Sequence, residues 1–326
     1  MLSPLGFDLL RRLSDGELHS GEALAAATGI SRARVSQVLK EAGSAGLRLE
    51  RTRGRGYRLQ DALPFLTREA VVAALGSQGA TLAIEIADVI DSTNSELARR
   101  ATRGDVHRRL LAAEWQTAGR GRRGRGWTSV VGGSLTFSLG WRFEQGAGYL
   151  SALPLAVGLA LANALEADGF ANVELKWPND LVHRGRKLGG ILVELSGDAL
   201  GPSLAVIGVG LNVRLPAVAR REIGQPVVDL ASIAPDRSID RNALLAVIAT
   251  ELSAALGAYA AKGFAPLRAA WQKRHALHKQ PVQMLLPDGG RVRGEVVGVD
   301  ADGALVLDSR GRRLRFVSGE VSLRRS

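Results

Sequence analysis

The chain has 326 residues, 46% hydrophobic and 23% charged, which is enough apolar material for two or three folded domains. It has no cysteine, which excludes a disulfide framework, a thiolate nucleophile and a cysteine-ligated metal. The formal net charge of +11 favours acidic partners such as nucleic acid or phosphorylated ligands. The sequence has neither an apolar run of membrane-spanning length nor an apolar signal core, so a cytoplasmic protein without membrane association is expected.

The first 60 residues predict three short helices. The first is expected at Phe7–Ser14. The second runs from a Ser20 cap to Thr28, and the third from a Ser31 cap to about Gly43. The turn between the second and third helices is only a few residues long. Two helices joined in this way are typical of a helix-turn-helix, whose second helix enters the major groove of DNA.

A β-hairpin is expected directly after the third helix. Leu47–Leu59 alternates between apolar and polar residues, with Arg-Gly-Arg-Gly at 53–56 as its tip. Such a hairpin would be the wing of a winged helix-turn-helix. The candidate DNA contacts on the third helix and the wing are Arg32, Ser36, Gln37, Lys40, Arg53 and Arg55. The alternative is a helical protein-interaction module whose basic face is simply solvated.

Strand and helix patterns alternate from Thr67 to about Ala276. Several strands follow one another without an intervening helix, so the pattern favours a mixed sheet and an α+β fold. Helices are expected from Asp91–Asn94 to Gly104 and at Leu150–Asp168, Arg241–Tyr259 and Phe264–His275. Strands are expected at Thr81–Val89, Arg109–Gln116, Gly133–Phe143, Val173–Lys176, Leu188–Ser196 and Ser203–Val213.

Only short strands are predicted beyond His278, with turns at 287–289 and 300–303. They indicate a small β-barrel or sandwich. Because a proline ends the wing, residues 61–64 are a plausible linker. The expected domains are therefore 1–63, 64–277 and 278–326.

The most unusual segment is Gly119–Trp127, in which four glycines alternate with four arginines before a tryptophan. Glycine allows the backbone to approach a ligand closely, and arginine supplies fixed positive forks for carboxylate and phosphate oxygens. The segment therefore predicts a loop that holds small anions, although it lacks the spacing of a phosphate-binding P-loop. A disordered, RNA-binding Arg-Gly segment is the alternative.

Five segments, in order and spacing, resemble biotin–protein ligases, and their arrangement resembles the bifunctional bacterial form that is also the biotin operon repressor. The likeness covers nearly the whole chain and includes an N-terminal winged helix and a C-terminal SH3-like barrel. The five segments are Asp91–Asn94, Glu114–Arg125, Lys176–Asp180, Lys187–Glu194 and Gly208–Asn212.

The resemblance implies an activity that explains the residue types. Such a ligase joins the biotin carboxylate to ATP, forming biotinyl-5′-AMP, and passes the biotinyl group to a lysine of a biotin carboxyl carrier protein. The implied substrates and cofactors are biotin, ATP and Mg²⁺. The implied macromolecular partners are the carrier protein and operator DNA, and a homodimer is expected once the adenylate is bound. Because both reactants are anions, the Gly/Arg loop is expected to fold over them as a lid that neutralises charge and excludes water.

The resemblance also assigns site residues. The expected catalytic residues are Lys187, Arg122 and Asp180, of which Asp180 is also a candidate Mg²⁺ ligand. Biotin is expected to contact Ser92, Thr93, Asn94, Gln116, Arg120, Gly121, Arg122, Lys187 and Gly190. ATP or the adenylate is expected to contact Arg120, Arg122, Arg123, Trp127, Lys176, Asn179 and Asn212.

Several of these residues also have ordinary structural explanations. Ser92–Asn94 is a typical helix cap, Lys187 could be an exposed lysine, and Asn212 could form a turn at a strand end. Four activities remain open on the sequence. They are a ligase that also represses, a ligase without specific operator binding, a regulator that only senses biotin, and a lipoate-type acyl ligase.

Overall fold

The computed structural model describes residues 2–43, 47–60, 63–198, 200–286, 290–317 and 322–325. The chain begins with three helices and a two-stranded hairpin. Helix α1 starts earlier than expected because the Ser3 side chain caps it and Pro4 fits its first turn. The apolar stripe of the third helix lies in a core of its own with residues of α1 and α2. These elements are α1 (Pro4–Arg12), α2 (Gly21–Thr28), α3 (Arg32–Gly43), β1 (Leu49–Thr52) and β2 (Gly56–Leu59).

A seven-stranded sheet follows, in the order β3-β4-β5-β9-β8-β7-β6. Only β3 and β4 are parallel, joined through a crossover helix, and the other neighbours are antiparallel. The predicted mixed sheet is therefore confirmed. Its strands are β3 (Ala83–Ile90), β4 (Arg109–Gln116), β5 (Ser134–Phe143), β6 (Glu174–Lys176), β7 (Asp180–His183), β8 (Arg186–Gly197) and β9 (Ser203–Asn212).

Among the described residues seven helices accompany this sheet, and three of them are not predicted by the sequence. These three, α4 (Arg68–Leu75), α7 (Ala217–Glu222) and α8 (Leu230–Ile233), are short, and the strand β7 was also missed because it has only four residues. The expected helix at 264–275 is a 3-10 turn at Ala265–Leu267 followed by α10. The helices are α4 (Arg68–Leu75), α5 (Thr93–Ala101), α6 (Leu153–Ala167), α7 (Ala217–Glu222), α8 (Leu230–Ile233), α9 (Arg241–Lys262) and α10 (Arg268–Lys273).

The C-terminal part is a small antiparallel sheet in the order β13-β12-β11-β10-β14. Its buried side chains belong to the same core as those of the seven-stranded sheet. The strand β14 was not expected. The predicted turn at 287–289 and the first half of the predicted linker, 61–62, lie outside the described residues. The strands are β10 (Pro281–Leu285), β11 (Arg291–Val299), β12 (Leu305–Ser309), β13 (Arg312–Phe316) and β14 (Ser322–Arg325).

Two helical segments, 147–167 and α9, are long and apolar enough to cross a membrane by length and composition. Both contribute many side chains to the main core, including Leu161 and Leu252, which are fully buried. Their apolar character is therefore accounted for by packing against the sheet.

The two faces of the seven-stranded sheet have different coverings. Helices α6 and α9 pack on one face, where alternate residues such as Phe137 and Ile191 enter the main core. Helix α5 packs on the other face through Leu97. On that face β8 and β9 present glycines at Gly190, Gly208 and Gly210. Because these positions have no side chains, the sheet is hollow beside α5.

Candidate functional site

A cavity of about 420 Å³ lies in this hollow, between the turn into α5, the Gly/Arg loop and the β6–β7 turn. Most residues that the sequence assigned to a site line it. They are Ser92, Thr93, Asn94, Gln116, Arg120, Gly121, Arg122, Trp127, Asn179, Asp180, Lys187, Gly190 and Asn212. Arg123 and Lys176 are absent from the lining: Arg123 is exposed at the tip of the Gly/Arg loop, and Lys176 ends β6.

The turn into α5 places three buried polar residues at one end of the cavity. Ser92 is the N-cap of the helix and accepts a hydrogen bond of 3.4 Å from the Ser95 N–H, so the capping interpretation is correct for this residue. Thr93 donates its backbone N–H to Gln116 Oε1 over 2.7 Å. Its hydroxyl lies 2.7 Å from the hydroxyl of Ser138 on β5. All of these side chains except that of Ser138 line the cavity.

Asn94 is held entirely by the protein. Its Oδ1 accepts a hydrogen bond of 2.5 Å from the Ser138 hydroxyl, and its Nδ2 donates to Glu194 Oε2 over 3.0 Å and to the Leu192 carbonyl over 3.3 Å. An added Cβ on Gly208 would lie 2.1 Å from Asn94 Oδ1, so this glycine makes room for the amide. Asn94 therefore connects α5 to β5 and β8 at this end of the cavity.

The Gly/Arg loop is folded over the cavity mouth. The backbone N–H of Trp127 donates to the Gly119 carbonyl over 2.8 Å, and the backbone N–H of Gly121 donates to the Arg125 carbonyl over 2.7 Å. The tip turns at Arg123 and Gly124, both with positive φ. These bonds close the segment into a tight hairpin. The alternative of a disordered Arg-Gly segment is therefore wrong for this stretch.

Two arginines fasten this loop to its surroundings. Arg120 donates to the Ser95 hydroxyl over 3.0 Å and forms an ion pair with Glu194. Arg122 donates to Asn179 Oδ1 over 3.1 Å. Burial, with a smaller effect of neighbouring Arg123, lowers the pKa of the Arg122 guanidinium from its ordinary value. The energetic cost of burying this cation would be offset by an anionic ligand in the cavity.

The opposite end of the cavity carries Lys187 and Asp180, whose Nζ and Oδ1 atoms are 2.8 Å apart. They come together because β7 and β8 form a tight antiparallel pair with a register shift beside them. Lys187 Nζ also lies 6.0 Å from the centre of the Trp127 ring, within cation–π range. The cavity thus places a lysine, a carboxylate and an aromatic ring around one small space.

Trp127 and Asn212 form the wall at this end. The Trp127 ring covers Gly210, where an added Cβ would lie 2.3 Å from the ring. Asn212 donates its Nδ2 to the carbonyls of Lys187 and Val228 over 3.3 and 3.1 Å. Its amide nitrogen therefore ties the segment before α8 to β8. Within the described ranges its Oδ1 has no donor and is available to a ligand.

Sequence reasoning missed several residues that shape this site. Gly208 and Gly210 stood inside a recognised segment without a role, although two glycines at alternate positions of an apolar strand indicate a hollow face. Ser138 and Glu194 support the cavity from outside its lining. Ser138 continues an alternation of small polar residues at 134, 136 and 138, which marks one face of β5. Glu222, Ile223, Gln225 and Val227 line the cavity from a segment that carries no motif.

Comparison with known proteins finds two family matches along the chain. Residues 86–212 match the biotin/lipoate A/B protein ligase family, and residues 279–324 match the biotin protein ligase C-terminal domain. The bifunctional ligase/repressor BirA of Escherichia coli is 36% identical over 97% of this chain and 96% of its own length. The chain belongs to the biotin protein ligase family.

Other members of the family differ in how much of the chain they match. The biotin–[acetyl-CoA-carboxylase] ligase of Mycobacterium tuberculosis is 36% identical over 71% of this chain and 85% of its own length. A solved biotin protein ligase from Aquifex aeolicus, in complex with biotin and ATP, covers 75% of this chain and 99% of its own. It is 29% identical to this chain, with a TM-score of 0.63. The resemblance found in the sequence is confirmed.

Proposed function

We propose that this member of the family activates biotin with ATP in the cavity under the Gly/Arg loop. The biotin carboxylate attacks the α-phosphate of ATP, pyrophosphate leaves, and the resulting biotinyl-5′-AMP acylates a lysine of a biotin carboxyl carrier protein. The observation that carries this proposal is the convergence of Arg120, Arg122 and Lys187 on one cavity closed by a loop. Arg125 also lines the cavity, and four cations around a partly enclosed space suit two anionic reactants that must meet away from water.

In this proposal each end of the cavity has its own role. Ser92, Thr93 and Gln116 bind the uncharged head of biotin, while Arg120, Gly121 and Gly190 line the path of its carboxylate arm. Lys187 and Arg122 stabilise charge at the α-phosphate during attack. The adenylate extends towards its remaining contacts, Trp127, Asn179 and Asn212. Arg123 is assigned to closure of the loop rather than to direct contact, and Lys176 to support of β6.

Asp180 is proposed to serve two steps. In one role it pairs with Lys187, which keeps the ammonium group aimed into the cavity. In the described part of the chain, no group of three histidine or acidic side chains converges on a possible metal position. Mg²⁺ is therefore expected to enter with the ATP phosphates, with Asp180 as its protein ligand, as is usual for this ion.

The direct test uses the purified chain with biotin, ATP, Mg²⁺ and a biotin carrier domain. We expect biotin-dependent exchange of pyrophosphate into ATP and a mass increase of the carrier by one biotinyl group. Lipoate in place of biotin should give neither signal. Biotin binding without exchange or transfer would leave only the regulator that senses biotin. Transfer of lipoate in preference to biotin would assign the chain to the lipoate-type ligases.

A second proposed function is repression by the N-terminal residues 1–63, as a winged helix-turn-helix domain. Its support is the distribution of charge, because the exposed side of α3 and the hairpin tip are rich in cations. Arg32, Gln37, Lys40, Arg53 and Arg55 are exposed, and Ser36 is half-buried between them. Arginines on a wing suit phosphate or minor-groove contacts.

Operator binding is tested by gel shift with DNA from upstream of biotin-synthesis genes, with and without biotin and ATP. Exchanging both Arg53 and Arg55 for alanine should weaken binding and lower the slope of affinity against salt concentration. The matched control is Arg103→Ala, an exposed arginine of the catalytic part. Equal shifts for the double variant and the parent would remove the wing from the interface.

The remaining proposals concern assembly. Residues 64–277 are the proposed catalytic domain, and 278–326 an SH3-like domain that helps recognise the carrier. The adenylate-loaded chain is proposed to be a cytoplasmic homodimer that pairs sheet edges. The seven-stranded sheet ends in β3 and β6. Sedimentation of the chain with and without biotin and ATP measures this directly.

A further inference from the structure

Behind the biotin end of the cavity lies a chain of polar side chains that starts at a carboxylate. Glu194 forms an ion pair with Arg120 through one oxygen and accepts from Asn94 Nδ2 through the other. A carboxylate in an ion pair only accepts hydrogen bonds, and so does the Leu192 carbonyl beside it. The Asn94 amide therefore has one orientation, with its nitrogen towards β8 and its oxygen towards Ser138.

This orientation fixes the hydroxyl hydrogens of the next two residues. Asn94 Oδ1 can only accept, so the Ser138 hydroxyl donates to it. Thr93 Oγ1 lies 2.7 Å from Ser138 Oγ, a separation that requires a hydrogen between the two oxygens. Because the Ser138 hydrogen is already used, Thr93 supplies it. The Thr93 hydroxyl has no second hydrogen, so its longer contact of 3.2 Å with Gln116 Oε1 is not a hydrogen bond.

Thr93 consequently presents lone pairs, and no hydrogen, to the cavity. Gln116 next to it has the opposite character, because its Oε1 accepts from the Thr93 backbone N–H and, among the described residues, no group accepts from its Nε2. The end of the cavity thus offers an acceptor beside a donor. A ring that carries an N–H beside a carbonyl, such as a cyclic urea, matches this pair. The dithiolane ring of lipoate has neither group.

We propose that Ser138 and Glu194 are positioning residues that set the hydrogen-bond polarity of Thr93 and so select the ureido head of biotin over apolar acyl groups. This proposal rests on biotin being the substrate. Neither residue lines the cavity, and both act through Asn94. A site built to accept from a ligand N–H rejects a ligand without one, because its buried acceptor is then left unpaired.

The chain of hydrogen bonds from Glu194 through Asn94 and Ser138 to Thr93 is called the relay below. The test compares matched substitutions at Ser138, because both contacts of its hydroxyl are with members of this relay. Ser138→Thr keeps the hydroxyl, whereas Ser138→Val has nearly the same shape without it. We expect Ser138→Val to raise the Kd for biotin about tenfold relative to Ser138→Thr, with the KM for ATP and the melting temperature equal in the two variants. Ser138→Ala, which adds no volume, should weaken biotin binding by a similar factor if the larger side chains prevent folding.

The outcomes separate the inference from the function on which it rests. Failure of the parent chain to bind biotin would overturn the proposed function itself. Biotin binding by the parent with equal Kd values in Ser138→Val and Ser138→Thr, or in Ser138→Ala and the parent, would overturn the relay alone. A parallel loss of biotin and ATP affinity in Ser138→Val would also overturn it, because a collapsed cavity and not a hydrogen-bond polarity would then be responsible.

Discussion

At the scale of single residues, Lys187 is distinguished from other lysines by its surroundings. It is mostly buried, its Nζ is 2.8 Å from Asp180, and the Trp127 ring lies on one side of it. Such a preorganised charge is most valuable where negative charge develops during a reaction, since it needs no reorganisation then. The idea that Lys187 is an ordinary surface lysine is wrong.

Replacing Lys187 by alanine should therefore slow adenylate formation and leave the fold intact. We expect the rate of biotin-dependent pyrophosphate exchange to fall by about 10²–10³-fold, as for the loss of one preorganised donor at other active sites. The matched control is Arg186→Ala, which removes the exposed cation next to it in the chain. An exchange rate within about twofold of the parent would exclude Lys187 from the chemistry.

At the scale of elements, the paired strands β8 and β9 create the site by lacking side chains on one face. An added Cβ on Gly210 would lie 2.3–2.8 Å from three atoms of the Trp127 ring, and the strand backbone cannot move away easily. The glycines of this face are therefore needed for space, since a methyl group would occupy the volume of the ring.

Gly210→Ala should displace Trp127 and loosen the end of the Gly/Arg loop. We expect the KM for ATP to rise about tenfold and the free energy of unfolding to fall by about 1–3 kcal/mol, the usual cost of overpacking. Gly148→Ala is the control, because no atom lies within 4 Å of an added Cβ there. Unchanged tryptophan fluorescence and an unchanged KM for ATP would refute the packing of Trp127 on Gly210.

A second link between elements is a buried ion pair that joins α9, β4 and the segment entering α4. Arg241 contacts both oxygens of Glu114, over 2.9 and 3.0 Å, and the two side chains are 3% and 0% exposed. Arg241 also donates to the carbonyl of Pro64 over 3.1 Å, and Glu114 accepts from the Leu66 N–H. These contacts anchor the segment that enters α4 to the seven-stranded sheet.

Arg241→Met should leave the Glu114 carboxylate buried without its partner. Breaking such a pair typically costs about 3–5 kcal/mol, whereas replacing both partners by apolar residues costs far less. We therefore expect urea unfolding to show a large loss for Arg241→Met and a partial recovery when Glu114→Leu is added. Arg142→Met, which breaks an exposed pair with Asp105, should cost under about 1 kcal/mol. Equal losses in the two single variants would contradict this.

At the scale of the whole molecule, the C-terminal sheet and the seven-stranded sheet share one core. Met284 and Leu305 pack in the same cluster as Trp271, and Trp177 donates its indole N–H to the Gly303 carbonyl over 2.9 Å. His275 lies at this junction with its ring against Trp271, and neither ring nitrogen has a hydrogen-bond partner within the described ranges. Burial, with a smaller effect of His278, lowers the pKa of His275 to about 3.

The buried neutral imidazole should make stability depend on pH. Between about pH 6.5 and 3 the unfolded chain binds a proton at His275 that the folded chain does not, so stability falls as the pH falls through this window. The slope is at most about 1.4 kcal/mol per pH unit. We expect the urea midpoint of the parent to drop between pH 7.5 and 5, and His275→Phe to lose part of this drop. An identical pH dependence in both proteins would show that His275 is not buried as a neutral ring.

The sequence alone predicts the family and most of the long helices and strands, because the signals for them lie in neighbouring residues. Caps, glycines and apolar periodicity predict the long helices and strands, and the five segments identify the family through contiguous residue types. The short elements β7, α4, α7 and α8 were not predicted, because a few residues carry too little periodicity to be recognised.

The hydrogen-bond arrangement at the α5 end of the cavity, by contrast, was decided by tertiary structure. Ser138 and Asn94 are 44 residues apart, and Asn94 and Glu194 are 100 apart. The pairing of β5, β9 and β8 brings them to one face of the sheet, and no local pattern encodes which residues then meet. The same three-dimensional packing put Arg123 and Lys176 outside the cavity, although neighbouring residues of the same segments line it. A motif identifies a short stretch of chain that lies near a site. Whether each of its side chains points into the site depends on contacts that form only when the chain has folded.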